Sequence, residues 1–191
     1  MARMLRSADY VVRPWKNGGG TTRDIAVSPP GASLDTFDWR LSLAQVDRNG
    51  PFSRFDNVDR TIVLLNGAMT LHERGRRIDL VLDEPFAFAG ERAIEATVAG
   101  GSTLDFNVMT RRGRASHTAR RESFSKLTHV EPRAGSTVVL FALDDGLIVD
   151  GEHLAVHDTF IITARRISVA PAADSAAALV IEIVDIRPNV L

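Results

Sequence analysis

Apolar and polar side chains alternate in Phe37-Asp-Trp-Arg-Leu-Ser-Leu43, the segment that most clearly indicates the fold. A period of two residues is typical of a β-strand whose two faces meet different surroundings. The same alternation occurs in Leu104-Asp-Phe-Asn-Val-Met109. Strong helical periodicity is rare in the chain, and short alternating segments bounded by turn residues recur instead. This pattern predicts an all-β sandwich or barrel.

Further strands are predicted on both sides of these two segments. Asn66-Gly67 separates apolar runs at 61–65 and 68–72, and Asn-Gly in that position is a strong hairpin signal because both residues tolerate positive φ. In the second half we predict strands at 137–143, 147–149, 153–156, 159–163, 167–169 and 178–186, with turns at 144–146 and 150–151. Residues 111–133 are predicted to form a short helix or an irregular connector.

A weak internal repeat indicates that the architecture is duplicated. Residues 75–88 and 151–162 both consist of a glycine turn, a short strand, an acidic turn and an apolar strand. Chance similarity between two β-meanders is the alternative explanation. We predict an N-terminal half at 1–113, a connector at 114–134 and a C-terminal half at 135–191, within one compact unit whose halves can exchange strands.

Composition narrows the classes of function. The 191 residues include no cysteine, which excludes disulfides, thiolate metal sites and cysteine nucleophiles and is compatible with a reducing cytoplasm. The formal net charge of −1 provides no overall basic field for nucleic acid. The chain begins without an apolar stretch of signal-peptide length, and no run approaches the roughly 20 apolar residues of a membrane span. We therefore expect a cytoplasmic protein without nucleic-acid or membrane partners.

Three consecutive glycines stand in the segment Pro14-Trp-Lys-Asn-Gly-Gly-Gly-Thr-Thr-Arg-Asp-Ile-Ala26. Such a run is tolerated where the backbone turns tightly or approaches another group closely. A phosphate-binding P-loop is disfavoured because Lys16 precedes the glycines and the following residues alternate like a strand. The alternative is a glycine-rich loop beside a partly buried Trp15.

The polar positions of the two alternating strands are candidate ligand contacts. Arg40 and Ser42 point away from the apolar side of one strand, and Asp105 and Asn107 do so on the other. In a half-exposed sheet they would face water. Inside a small barrel they could line a ligand cavity, where Arg40 with Arg60 offers donors for a carboxylate. Asp105 and Asn107 would then offer acceptors to an amine or imine.

Other chemistries have weaker support in the sequence. The histidines are His72, His117, His129, His153 and His157. The pair at 153 and 157 would lie about 13 Å apart along a strand, too far to share an ion, so we expect no metal site. The basic run at 111–121 lacks interleaved aromatic residues and is interpreted as a solvated connector.

Five motifs resemble those of a known family and occur in its order over about residues 10–113. They are the 14–26 segment quoted above, Phe37-Asp-Trp-Arg-Leu-Ser42, Gly50-Pro-Phe-Ser53 with Asp59-Arg60 and Leu64-Leu-Asn-Gly67, Phe88-Ala-Gly-Glu91, and Asp105-Phe-Asn-Val-Met-Thr-Arg-Arg-Gly113. Together they resemble the HutD/Ves family. The remainder of the chain is similar only in length and β-rich pattern.

The resemblance implies a bicupin, which is a pair of double-stranded β-helix (jelly-roll) barrels in one chain, without the metal-binding histidines of many cupins. It further implies a small-molecule-binding regulatory protein associated with histidine utilisation, sensing urocanate or formiminoglutamate and limiting pathway output. No cofactor is expected. The residues expected to bind the small carboxylate or imidazole-type ligand are Trp15, Lys16, Asn17, Thr22, Trp39, Arg40, Ser42, Arg60, Asp105 and Asn107.

Two other classes of function stay open at this point. A metal-independent cupin isomerase or hydrolase could act on a small polar carboxylate, with Asp105 as base and Lys16 or an arginine as electrophile. We lean towards binding without catalysis. An interaction protein of the stress-response Ves type is the second alternative. A homodimer is the default expectation for a soluble oligomer.

Overall fold

The computed structural model describes residues 1–186, which form β-strands and one short 3₁₀ helix at Ser7–Asp9. The strands, in chain order, are β1 (Ala2–Leu5), β2 (Val11–Pro14), β3 (Gly20–Ser28), β4 (Trp39–Val46), β5 (Gly50–Pro51), β6 (Val58–Glu73), β7 (Arg76–Asp79), β8 (Pro85–Ala89), β9 (Glu95–Arg111), β10 (Ala115–Phe124), β11 (Thr128–Val130), β12 (Ser136–Ala142), β13 (Leu147–Val149), β14 (Glu152–Leu154), β15 (Thr159–Ile162), β16 (Ile167–Pro171) and β17 (Ala176–Asp185). The predicted all-β class is confirmed.

The chain divides into two units. The first unit is Val11–Ala115, and the second combines Met1–Tyr10 with the chain from Ser116 onward. The second unit therefore includes the N-terminal strand β1, which pairs with β15. This pairing ties the N-terminal segment into a sheet of the second unit.

The first unit is one eight-stranded antiparallel sheet. Its order is β2-β3-β4-β9-β6-β7, with β5 paired to β9 and β8 paired to β6. The long strands β6 and β9 form its centre, and β4 lies beside β9. Apolar side chains from this sheet form two buried clusters, one around Ile62, Leu64 and Phe88 and the other around Phe37 and Met109.

The predicted hairpin at Asn66-Gly67 is wrong. β6 continues through these residues, and the register with β9 shifts between Leu64 and Asn66 and again between Asn66 and Ala68. Gly67 has φ of 84°, and a Cβ there would lie 2.8 Å from Cγ2 of Thr103. A residue with positive φ occurs in β-bulges as well as in tight turns, so the Asn-Gly dipeptide alone does not decide between a bulge and a hairpin.

The second unit contains two antiparallel sheets. Their orders are β1-β15-β12-β17-β10 and β11-β16-β13-β14. The inward side chains of both sheets form one apolar cluster that includes Leu140, Ile162 and Val180. All six strands predicted for this half are present, and Asp150 and Gly151, with φ of 50° and 84°, form the turn between β13 and β14.

The predicted irregular connector is wrong for most of its length, because residues 115–124 form β10 and residues 128–130 form β11. β10 lies at the end of its sheet order, paired only with β17 among the described strands. Ala115 and Phe124 are buried at its ends, while both Arg120 and Arg121 are exposed. An edge strand that exposes most side chains lacks a strong apolar alternation, which explains why the sequence pattern missed it.

Closed barrels were predicted, and this detail is wrong for the described residues. Each of the three strand orders is open, because its two end strands are not hydrogen-bonded to each other. In the first unit β2 is an end strand, and all four of its residues are exposed. Pro14 lacks an N–H group, and proline on an edge strand discourages further pairing.

Asp158 holds the N-terminal segment within the second unit. Its side chain accepts hydrogen bonds from the backbone N–H of Ser7 at 2.7 Å and of Ala155 at 3.1 Å. The Arg6 guanidinium donates a third bond at 2.8 Å. Burial alone would raise the pKa of Asp158, but these bonds outweigh it, so the pKa is lowered.

We expect Asp158→Asn to lower the free energy of unfolding by about 2 kcal/mol at pH 7, because charge-assisted hydrogen bonds are lost. The carboxylate's contribution is present above its unfolded pKa and is lost as pH falls through the lower folded pKa. The difference from wild type should therefore shrink below about pH 4. Urea unfolding of both proteins at several pH values measures this difference in the free energy of unfolding. Asp174→Asn, at an exposed position, is the control; an equal loss there would contradict the prediction.

Candidate functional site

Polar side chains from neighbouring strands share one face of the eight-stranded sheet. Ser42 of β4 lies directly opposite Asn107 of β9, and Arg40 lies opposite Met109. Met109 in turn lies opposite Arg60 of β6. Because directly paired residues point to the same side and faces alternate along a strand, Asp105 shares this face as well. We call Arg40, Ser42, Arg60, Asp105 and Asn107 the polar centre.

Four of the five side chains of the polar centre are removed from water. Relative exposure is 2% for Ser42, 7% for Arg60, 1% for Asp105 and 6% for Asn107. Arg40 is half-buried, with 16% of its side chain exposed. The interpretation that these side chains face solvent is therefore wrong for the four buried ones. Polar groups buried to this extent are costly unless they are paired, so their partners define what the site can do.

Arg60 is a buried cation surrounded by aromatic rings. Its guanidinium carbon lies 5.4 Å from the Phe52 ring centroid, 5.5 Å from that of Phe55 and 4.9 Å from that of Phe88. Cation–π attraction strengthens when both partners are desolvated. The rings therefore stabilise a positive charge that burial alone would disfavour.

The hydrogen bonds of Arg60 are incomplete. It donates to the Ser53 carbonyl and to Oδ1 of Asn107, both at 3.1 Å. Its Nε is buried and has no partner among the described residues. Burial lowers the pKa of Arg60 to about 10, opposed by the charge of Asp105 and assisted by that of Arg40. The side chain stays charged at neutral pH and keeps one free donor.

Asp105 is the buried carboxyl of the polar centre. Burial raises its pKa to about 7, although the charge of Arg60 and a hydrogen bond from Asn107 Nδ2, at 3.1 Å, act in the opposite direction. Both protonation states are therefore populated near neutral pH. A carboxyl in this condition can accept or release a proton in response to a neighbouring charge.

Arg40 is joined to a residue that sequence reasoning did not select. It donates to Asp24 Oδ1 of β3 and, at 3.2 Å, to the Ser42 hydroxyl. Arg13 donates to the other oxygen of Asp24 at 2.7 Å. Asp24 therefore already occupies part of the fork that Arg40 was expected to offer a ligand. The alternation of Thr22 and Asp24 in the glycine-rich motif was the available signal.

The glycine-rich segment forms a turn closed by its own contacts. Trp15 Nε1 donates to the Thr22 hydroxyl at 2.8 Å, and Asn17 Oδ1 accepts from the Gly19 N–H at 3.0 Å. A Cβ at Gly20 would lie 2.1 Å from the Gln45 carbonyl oxygen, so this position requires glycine. Asn17 thus shapes the turn, and Trp15 packs against the apolar cluster around Ile62 and Leu64.

Besides Trp15 and Asn17 in the turn, two more of the predicted ligand residues lie apart from the polar centre. Trp39 is buried but alternates with Arg40, so its side chain is on the opposite face of the sheet. Lys16 is exposed on the turn. The structure therefore brings together Arg40, Ser42, Arg60, Asp105 and Asn107, with Thr22 on the adjoining strand.

The aromatic rings around Arg60 were also missed by sequence reasoning. Phe52 and Phe55 belong to the irregular segment after β5, where no periodicity points to a face. Phe88 lies on β8, directly opposite Arg60. Only the motif Gly50-Pro-Phe-Ser53 singled out part of this segment.

Within residues 1–186 no group of three or more histidine, aspartate or glutamate side chains is arranged so that it could hold a metal ion. No helix in the same range is long and apolar enough to cross a membrane.

Two curated relatives cover most of the chain. It is 39% identical over 142 residues to an uncharacterised 21.2 kDa protein in the hutC 3′ region of Pseudomonas putida, covering 73% of each chain. It is 36% identical over 153 residues to Protein Ves of Citrobacter koseri, covering 77% of this chain and 78% of the relative.

Solved structures extend the similarity to nearly the whole chain. A conserved protein of unknown function from Pseudomonas aeruginosa PAO1 superposes with a TM-score of 0.86 at 32% identity, covering 96% of this chain and 98% of the other. HutD from Pseudomonas fluorescens SBW25 superposes with a TM-score of 0.82 at 31% identity, covering 97% of this chain and 99% of the other.

More distant structures show the fold alone. The cupin-like protein YlbA of E. coli superposes with a TM-score of 0.74 at 11% identity, covering 100% of this chain and 93% of the other.

The HutD family model matches residues 7–181. On this match and the relatives above, the chain belongs to the HutD family.

Proposed function

We propose that this protein binds an intermediate of histidine degradation, urocanate or formiminoglutamate, and that binding limits the output of the pathway. The observation that carries the proposal is Arg60, a buried and charged side chain whose Nε has no partner in residues 1–186. Both ligands carry carboxylate, and an anionic oxygen would complete the donor set of this guanidinium. Family membership and the hut-region relative support the choice of pathway.

The surroundings of Arg60 suit a small ligand with both polar and planar parts. Phe52, half-buried beside Arg60, is the ring on which a planar group such as imidazole would stack. Asp105 is an acceptor for a ligand N–H when it is ionised. Binding of this kind requires no metal or other cofactor and suits a cytoplasmic protein.

Arg40→Ala is expected to weaken urocanate binding by at least about tenfold. The substitution removes one cation of the polar centre and leaves Asp24 to repel the ligand carboxylate. Isothermal titration calorimetry with urocanate and with formiminoglutamate measures the change, and Arg114→Ala, at an exposed position, is the control.

Two results would decide against parts of this proposal. Unchanged affinity in Arg40→Ala would remove Arg40 from the site. Absence of binding of either compound to the wild-type protein would overturn the proposed ligand class.

A metal-independent isomerase or hydrolase is the second candidate. The observation that favours it is Asp105, whose raised pKa of about 7 suits a general base beside a cationic group. Incubation of each compound with the protein, followed by NMR, tests for turnover. Product formed by wild type and lost in Asp105→Asn would favour the enzyme over a binding protein. An interaction protein of the Ves type is supported by the Protein Ves relative alone.

We also infer that the two units are copies of one cupin domain. Support comes from the internal repeat, whose copies begin at equivalent turns. Arg74-Gly75 joins β6 to β7, and Asp150-Gly151 joins β13 to β14. Both positions of both turns have positive φ, at 47° and 79° in the first and 50° and 84° in the second.

A further inference from the structure

A cavity of about 340 Å³ lies in the first unit, and none of its lining residues belongs to the polar centre. Its walls come from the end of β6 and the turn after it, from the segment between β5 and β6, and from the segment between β8 and β9. Charged side chains make up nearly all of the lining, which consists of Arg54, Glu73, Arg74, Glu91, Arg92 and Ala93.

Both glutamates of the cavity are already neutralised. Arg92 pairs with Glu73 through two nitrogens. Arg112 donates to the Glu91 carboxylate through Nη1 at 2.6 Å and Nη2 at 3.0 Å. The hydrogen bond from Arg112 is the main reason why the pKa of Glu91 is lowered to about 2. Arg54 and Arg74 therefore remain as two positive charges without a carboxylate partner in the described part of the chain.

Arg54 is held in place by one hydrogen bond. Its Nε donates to the Glu91 carbonyl oxygen at 3.0 Å. Its two terminal nitrogens have no partner among residues 1–186. A guanidinium fixed at Nε presents both terminal amino groups side by side, in the geometry that binds a carboxylate or phosphate through two bonds.

Arg74 stands in a backbone conformation that its side chain does not favour. It has φ of 47° in the turn between β6 and β7. The other non-glycine residues with positive φ in the described chain are asparagine, aspartate or histidine, the types that tolerate it best. Arg74 makes no hydrogen bond or ion pair within residues 1–186. The Arg74 side chain is exposed and lines the cavity, where it can meet a ligand.

Backbone hydrogen bonds join the two segments that carry Arg54 and Glu91. Phe55 donates its backbone N–H to the Gly90 carbonyl at 2.9 Å, and Gly90 donates to the Val58 carbonyl at 2.7 Å. A Cβ at Gly90 would lie 2.6 Å from the Phe55 carbonyl oxygen, so the two segments can approach this closely only with glycine. A wall fixed by such contacts lowers the ordering cost of binding.

We propose that this cavity is a second anion-binding site, which takes a small dianion between Arg54 and Arg74. A phosphate group or a short dicarboxylate carries the two negative charges that match these guanidinium groups. The cavity volume lies at the lower end of the range for small-molecule sites, so it suits a ligand of this size. The site is distinct from the one that contains Arg60 and does not rest on the function proposed above.

The test uses inorganic phosphate and succinate, each titrated separately into the full chain by isothermal titration calorimetry at low ionic strength. Arg74→Asn removes one charge, and asparagine suits the positive φ, so the melting temperature should be unchanged or raised. Arg54→Gln removes the other charge and keeps a donor for the Glu91 carbonyl. Each variant should weaken binding of the preferred probe at least about tenfold.

Arg114→Gln, an exposed arginine outside the cavity lining, is the matched control and should keep wild-type affinity. Failure of wild type to bind either probe would overturn the proposal. So would unchanged affinity in Arg54→Gln and Arg74→Asn, or an equal loss in the Arg114→Gln control. Phosphate binding without urocanate binding would refute only the proposed function.

Discussion

Replacing Arg60 by methionine should cost about 1.4 kcal/mol more free energy of unfolding at pH 8 than at pH 5, because Asp105 then has to stay neutral about one pH unit above its pKa of about 7. Methionine can pack against Phe52, Phe55 and Phe88, so loss of packing contributes little. The cost arises because Asp105 loses its nearby positive charge and Asn107 Oδ1 loses a donor.

The loss in Arg60→Met should be smaller at pH 5. Asp105 is then protonated in the folded protein and needs no counter-charge. Urea unfolding at both pH values measures the two free energies, and Arg114→Met is an exposed control. A loss of equal size at pH 5 and pH 8 would show that Asp105 is not the group left unpaired.

Asp105→Asn should raise the free energy of unfolding at pH 8 by on the order of 4 kcal/mol, at about 1.4 kcal/mol per unit of pKa difference. Burial raises the pKa of Asp105 from its ordinary 3.8 to about 7. Between these values the folded state binds more protons than the unfolded state, so stability falls as pH rises. The contribution of the neutral Asp105 carboxyl to the free energy of unfolding is fully present below about pH 4 and is lost as pH rises through about 7.

Unfolding free energies of wild type and Asp105→Asn between pH 5 and pH 8 test this prediction. The variant should lack the decrease, because asparagine resembles the neutral carboxyl and can still accept from Asn107 Nδ2. Asp174→Asn should retain the wild-type slope. A wild-type stability that rises over this range relative to Asp105→Asn would contradict a raised pKa.

The double variant Arg60→Met/Asp105→Asn connects the two predictions. If the charges interact as the geometry indicates, the cost of losing Arg60 should be much smaller in the Asp105→Asn background. Additive effects at pH 8 would mean that the two side chains are energetically independent.

Much of the polar centre followed from strand periodicity. Arg40 and Ser42 alternate with apolar neighbours, as do Asp105 and Asn107, and this placed each pair on one face of its strand. The two faces coincide because of the register between β4 and β9, in which Ser42 lies opposite Asn107. Register is a property of the pairing of distant segments, which local periodicity does not contain.

The partners of these residues were harder to predict. Asp24 binds Arg40 across sixteen positions of sequence, and Phe52, Phe55 and Phe88 reach Arg60 from segments with different local structure. Irregular segments carry no period, so their side-chain directions follow only from packing. The consequence for the site is substantial, because Asp24 already uses donors that were assigned to a ligand.

The amino-acid sequence by itself determined the all-β class, the second-half strands and the family motifs, since alternation, turn residues and motif order are local properties. Tertiary structure alone decided that Asn66-Gly67 is a bulge in β6, that residues 115–124 form an edge strand and that Trp39 lies on the face opposite Arg40. It also decided which charges are buried together. These outcomes depend on which strands pair, and pairing is set by the burial of the whole sheet rather than by any one segment.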